Sequence, residues 1–269
     1  MDSNRMLVFG SYYATDSVLH RMDPRIKLTI AVVYMITAII AVTLQGIIPL
    51  AVFTVVAVSL SNIPWRELFN SIKPLLFIMA LAAIFNIVAT NEGTLYWQWG
   101  YFAISSGGFY NALVFTLRIG LMLFAASLLT LTTSPIDLAD GLAAIMRPLT
   151  RLGVPVQELS MMVSIAFRFL PTFLDEYYKV KGAQESRGAC FDQGGLIKRL
   201  KLLMPLLAPL FASAFRHAEK LAQAMDSRCY RGGADRTRLH PMSVGRADVL
   251  ALLFTAAMVA GLIVIRVFW

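Results

Sequence analysis

The chain has 269 residues, of which 58% are apolar and only 15% charged, with a mean hydropathy of +0.67 and a formal net charge of +8. That balance excludes an ordinary soluble domain and points to an integral membrane protein. The basic excess accompanies no nucleic-acid-binding motif, so it is read as a face turned to anionic lipid, with no nucleic acid as partner.

In chain order, Met1 to Lys27 is polar and lacks the short apolar run and small-residue site of a cleavable signal. Within it, Asp23 is placed to cap a helix whose first position is Pro24. Arg21, Arg25 and Lys27 are expected to hold that end at the headgroups. Apolar stretches predict crossings at Leu28 to Leu44, Ile47 to Ile63, Leu75 to Ala89, Phe109 to Leu131 and Val249 to Ile265, each near the roughly 17 to 25 residues that span hydrocarbon. Pro49 and Asn62 flank the second and the third is short, so a tilted or re-entrant helix fits either.

Between the second and third stretches, Asn62 to Lys73 reads as a turn anchored by Trp65 and Arg66. Tyr96, Trp97, Trp99, Tyr101 and Phe102 near-alternate after the third, which suits a small hairpin or an aromatic belt equally. Arg118 lies inside the fourth stretch, where a charge costs several kcal/mol unless it is paired or snorkels. No acid in the other spans offers a partner, but Asn86 is a candidate neighbour and carbonyls at a helix break would also serve.

Ser134, Pro135 and Asp137 form a capping arrangement that opens a further helix, expected to end near Arg151 with Gly153 as terminator. Two long amphipathic segments follow. The first has its apolar stripe at Leu159, Met162, Val163, Ala166, Phe169 and Phe173, and the second at Leu203, Met204, Leu207, Leu210, Phe211 and Ala214. Pro171, Pro205 and Pro209 lie within these periods and predict kinks or breaks.

Most of the 24 Lys and Arg fall between Thr132 and Arg246, whereas the stretches 45–46 and 90–108 have none. The positive-inside bias therefore puts the amino terminus and this insert in the cytoplasm and Trp269 outside. The expected organisation is an all-α membrane protein with about five transmembrane helices. Residues 1–131 hold four of them, 132–246 form a cytoplasmic module of about three amphipathic helices, and 247–269 supply the last. On the reducing side, Cys190 and Cys229 read as packing residues rather than a disulfide.

Each amphipathic segment runs into the same signature, an acid followed by Ser and Arg: Glu185, Ser186, Arg187, Gly188 in the first and Asp226, Ser227, Arg228, Cys229 in the second. One Arg at a helix end usually complements the macrodipole. Two in the same context suggest docking, because a guanidinium is a rigid fork of donors suited to an acidic or carbonyl-lined groove. Catalytic motifs are missing: there is no H-E-x-x-H, no G-x-S-x-G and no phosphate-cradling G-x-x-x-x-G-K-[ST] loop. Asp137, Asp140 and Arg118 leave a membrane-embedded lipid-modifying enzyme as the alternative.

The opening Tyr12, Asp16, Ser17, His20, Arg21, Asp23, Pro24, Arg25 and Lys27, the run Thr132 to Pro135 and the paired Arg signatures together resemble the transmembrane T component of energy-coupling factor (ECF) transporters. The resemblance implies a non-catalytic subunit of a bacterial or archaeal plasma-membrane importer. Its coupling helices would dock on two ABC-type ATPase subunits and act on a small integral membrane S component that binds a vitamin or another micronutrient, with a cobalt or nickel importer as a variant. ATP and Mg would be bound by the ATPases, leaving this chain without cofactor, metal or catalytic residue. Carried over, Ser186, Arg187, Gly188, Ser227, Arg228 and Cys229 would dock the ATPases, while Met162, Phe169, Phe173, Leu203, Leu207 and Leu210 would face the S component. The family motif reads Ala-Arg-Gly; here Ser stands for Ala twice and Cys for Gly once. Since Cys enters the left-handed region less cheaply than Gly, the ending of the second helix is left open.

Overall fold

The computed structural model describes residues 13, 15–89, 95–99, 102–189, 196–230, 232 and 243–268. The expectation for Cys190 lies outside them, as do the side chains of the proposed aromatic belt. The chain divides into two compact units, Met1–Ile145 with His240–Trp269 and Met146–Leu239.

The first unit contains α1 (Pro24–Ile40), α2 (Leu44–Ser61), α3 (Trp65–Ala89), a hairpin of β1 (Leu95–Trp99) and β2 (Phe102–Ser105), α4 (Ser106–Thr132), α5 (Pro135–Ile145) and α8 (Arg246–Phe268). Among the described residues its regular structure is helical apart from that antiparallel hairpin, which pairs Trp99 with Phe102 and Gln98 with Ala103. Leu44–Ser61, Trp65–Val88, Ser106–Thr132 and Arg246–Val267 are each long and apolar enough to cross a membrane. With 17 residues, α1 sits at the short end of that range. The third crossing is longer than the sequence suggested. Trp65 already begins α3, which runs 25 residues through Pro74, so the expected turn over Asn62 to Lys73 shrinks to Asn62, Ile63 and Pro64. Asn62 ends α2 in the left-handed conformation at φ 53°, one that Asn tolerates better than most residues.

Tyr34, Ala38, Leu50, Met258 and Leu262 form one buried cluster, and Val58, Ile63, Leu68, Leu128 and Leu131 another. Buried polar groups among them are satisfied locally, as a lipid environment demands. The Tyr34 hydroxyl lies 2.7 Å from Thr54 Oγ1, which in turn bonds the Leu50 carbonyl at 2.9 Å.

The first turn of α1 ties this unit together. Asp23 caps α1 by accepting from the Arg25 amide at 2.9 Å, with Pro24 in the first position. The Asp23 amide donates to buried Asp248 at 3.0 Å, and the other oxygen of that carboxylate accepts from the Gly245 amide at 2.8 Å, capping α8. Lys27 corrects the headgroup expectation. It is buried, and its Nζ donates to the Thr132 carbonyl at 3.0 Å and to Thr133 Oγ1 at 3.4 Å. The opening motif and the Thr-Thr-Ser-Pro run, far apart in sequence, are thus joined at the last turn of α4. At the start of α5, Ser134 Oγ accepts from the Asp137 amide at 3.1 Å and donates to the Asp137 carboxylate at 2.7 Å. Close packing explains Gly141, since a Cβ there would come within 3.1 Å of Pro24.

Arg118 donates to the Ile39 carbonyl at 3.5 Å and lies 5.3 Å from the centre of the Phe115 ring. Ile39 belongs to the last turn of α1, where carbonyls lack helical partners and carry the negative end of the dipole. Asn86 turns back to its own helix and donates to Ala82 at 3.0 Å. The acceptor for Arg118 is therefore a helix-end carbonyl.

Candidate functional site

The second unit holds a 3-10 turn (Arg147–Leu152) and two long helices, α6 (Val156–Ser186) and α7 (Leu196–Ser227). The helix expected to run from Ser134 to Arg151 ends earlier, at Ile145. Pro148 has no amide hydrogen to continue it, and the chain tightens into the 3-10 turn before stopping at Gly153 with φ 82°. Pro155 then caps α6, its carbonyl accepting from Leu159 at 3.0 Å. Neither Pro171 in α6 nor Pro205 and Pro209 in α7 breaks its helix.

Contacts between the two helices set their direction. Ser213 on α7 donates to Glu176 on α6 at 2.7 Å, and His217 lies against Phe169 and Phe173. Tyr230, just past α7, donates to the Met161 sulfur at 2.9 Å. Higher numbers on α7 meet lower numbers on α6, so the pair is antiparallel. Met161 lies roughly 26 residues before Arg187, and at about 1.5 Å per residue the two Arg-bearing ends stand roughly 40 Å apart along α6.

Those ends share one geometry. In α6 the Ala189 amide donates to Gln184 at 3.0 Å and the Gly188 amide to Glu185 at 2.9 Å. In α7 the Tyr230 amide donates to Met225 at 3.1 Å and the Cys229 amide to Asp226 at 2.9 Å. Both are Schellman caps, in which the residue after the cap turns left-handed so that two orphan carbonyls are satisfied. Gly188 takes φ 89° and Cys229 takes φ 56°. The question left open for Cys229 is answered: it adopts glycine's conformation, at a cost of about 1–2 kcal/mol.

Arg187 and Arg228 hold the same position in the two caps, and Ser186, Arg187, Gly188, Ser227, Arg228 and Cys229 are all exposed. Neither guanidinium has a salt-bridge partner among the described residues. The preceding serines match as well, Ser186 Oγ donating to Gly182 at 2.9 Å and Ser227 Oγ to Gln223 at 2.7 Å. The hydroxyl that departs from the family's alanine is thus used in the same way at both ends.

Of the residues expected to face the S component, Met162, Leu203 and Leu207 are exposed and Leu210 is partly so. Phe169 and Phe173 are partly buried, their rings packed on His217 between the two helices. Met204, Phe211 and Phe215 add to the exposed stripe of α7, each more than 60% exposed. Phe215 is the member that the sequence reading missed, although it lies one turn beyond Phe211 on the same face. Also missed was Glu176, a carboxylate drawn into the helix contact.

Comparison with known proteins gives the chain its family. The sequence pattern of the CbiQ family, described as a cobalt transport protein, matches residues 15–240. The energy-coupling factor transporter transmembrane protein EcfT of Ruminiclostridium cellulolyticum is 43% identical over 262 residues, covering 97% of this chain and 98% of that protein. The protein of the same name from Clostridium kluyveri is 37% identical over 264 residues, covering 98% of each chain. That of Bacillus subtilis is 37% identical over 261 residues, covering 96% of this chain and 97% of its own. The chain therefore belongs to the CbiQ/EcfT family of energy-coupling factor transporter transmembrane proteins.

Proposed function

We propose that this chain is the coupling subunit of an ECF-type importer, receiving motion from two ABC-type ATPase subunits through Arg187 and Arg228 and passing it to a small membrane S component. The observation that carries this reading is the pair of matched caps, each holding one exposed Arg at the end of a long helix. A fork of donors at such a tip is suited to a carboxylate- or carbonyl-lined groove. The exposed stripe of Met204, Leu207, Phe211 and Phe215 gives the S component an apolar surface to cover.

In this reading residues 1–131 and 247–269 lie in the membrane and 132–246 serve coupling, with the amino terminus and both Arg tips in the cytoplasm and Trp269 outside. The chain itself performs no catalysis and holds no cofactor; ATP and Mg belong to the ATPases. The S component selects the cargo, a vitamin or other micronutrient. A cobalt or nickel ion is the second reading; the description of the matching family names cobalt.

The test is uptake by cells carrying Arg187→Ala with Arg228→Ala. ATP-driven uptake is expected to be lost while the S component still binds substrate, and normal uptake by the double variant would refute the proposal.

A further inference from the structure

Between α6 and α7 one polar cluster lies among apolar side chains. Ser213, 8% exposed, donates its hydroxyl to Glu176 Oε1 at 2.7 Å. His217, one turn further along α7, lies with its ring centre 5.9 Å from those of both Phe169 and Phe173 on α6. Its Nδ1 is 2.9 Å from the Ser213 carbonyl, which only accepts, so this nitrogen carries the hydrogen and the ring orientation is fixed. The hydroxyl grips one turn of α6 while the imidazole sits over the turn before it.

Apolar contact is non-directional and tolerates sliding, whereas a hydrogen bond of this length does not. Sliding α7 by one turn would carry Ser213 about 5.4 Å from Glu176. The second oxygen of Glu176 is buried without a partner among the described residues. Oε1 also lies 3.9 Å from His217 Nδ1, and a buried oxygen left without a partner costs stability, so stability alone does not account for a carboxylate there.

We propose that Glu176, Ser213 and His217 form a pivot that fixes the register of α6 on α7, so that displacement of one Arg tip reaches the other rather than being lost in sliding. These are positioning residues; they touch neither docking tip. The inference rests on the coupling function proposed above and deepens it.

Spin labels at Ala183→Cys and Ala224→Cys, exposed positions one turn before each Arg tip, in a Cys190→Ser, Cys229→Gly background, report the separation of the tips in the full chain. Double electron–electron resonance would be recorded on the chain assembled with its ATPase subunits in nanodiscs, without nucleotide and after ATP turnover with vanadate to trap ADP. The wild-type pivot is expected to give one narrow distribution in each state and a shift between them. Glu176→Ala and Ser213→Ala should broaden the nucleotide-free distribution at least twofold and halve the shift. Glu176→Gln keeps an acceptor for Ser213 and should restore both. Unchanged widths in the two alanine variants, or a glutamine variant as broad as Glu176→Ala, would overturn the pivot. A wild-type chain whose tips do not move with ATP would instead refute the coupling function, while the nucleotide-free widths still judge the pivot.

Discussion

The ends of α6 and α7 make the same hydrogen bonds with different residues. At the first end Gly188 turns left-handed, and nothing beyond its immediate chain neighbours lies within 4 Å of where its Cβ would be. At the second, Cys229 makes the same turn while carrying a side chain that disfavours it. The strained residue persists where the geometry holds an Arg in position, which is the pattern expected when placement of that Arg matters more than local stability. A cap built twice, once from the costlier residue, teaches that the geometry is specified and that glycine is only its cheapest solution.

Substitutions at the two ends test whether they are equivalent, and the largest effects fall on docking. Arg187→Ala and Arg228→Ala, tested singly, should each weaken ATPase binding by about 1.5–3 kcal/mol, the worth of a charge-assisted contact. Because the two caps match, the losses should agree within a few-fold when measured by titration with purified ATPase. A tenfold disparity would mean that the ends are not equivalent.

Backbone effects come next. Gly188→Ala should destabilise the end of α6 by about 1 kcal/mol, purely through the left-handed backbone, since space is open around it. Cys229→Gly is the mirror experiment and should stabilise the end of α7 by a similar amount, about 1 kcal/mol. Hydrogen exchange at the Tyr230 and Ala189 amides reads both, slower at Tyr230 in the glycine variant and faster at Ala189 in the alanine variant. The smallest effect belongs to the serines. Ser186→Ala and Ser227→Ala remove only a hydroxyl bonded back to its own helix, and each should change stability by less than about 0.5 kcal/mol. A substantial loss of ATPase binding in either would give that hydroxyl a direct contact.

Much of this was legible before the structure, and the reasons for the rest are specific. Long apolar stretches, the Ser134–Asp137 cap and Gly153 announce themselves locally, because hydrophobic period and capping chemistry are properties of neighbouring residues. The start of α3 was obscured by Arg66, Lys73 and Pro74, which look like a loop but ride on a continuous helix. Lys27 looked like a headgroup anchor because its acceptors, Thr132 and Thr133, arrive from the far end of another helix. Asp248 left a trace, an acid three positions after Gly245 at a helix start, but its bond to the Asp23 amide is long-range. Glu176 and His217 each look like single polar residues on an amphipathic helix, and only the antiparallel register brings them together. Of the site itself, the paired Arg signatures were visible in the sequence, whereas the equality of their caps was not, since Cys229 gives no local sign of a left-handed turn.

The most direct test is the affinity of purified ATPase subunits for the full chain in nanodiscs, comparing wild type with Arg187→Ala plus Arg228→Ala. If the two tips are the docking points, the double variant should bind at least about 100-fold more weakly, two charge-assisted contacts having been lost. Wild-type affinity in the double variant would contradict the account, because the ATPases would then be held by some other surface of the chain.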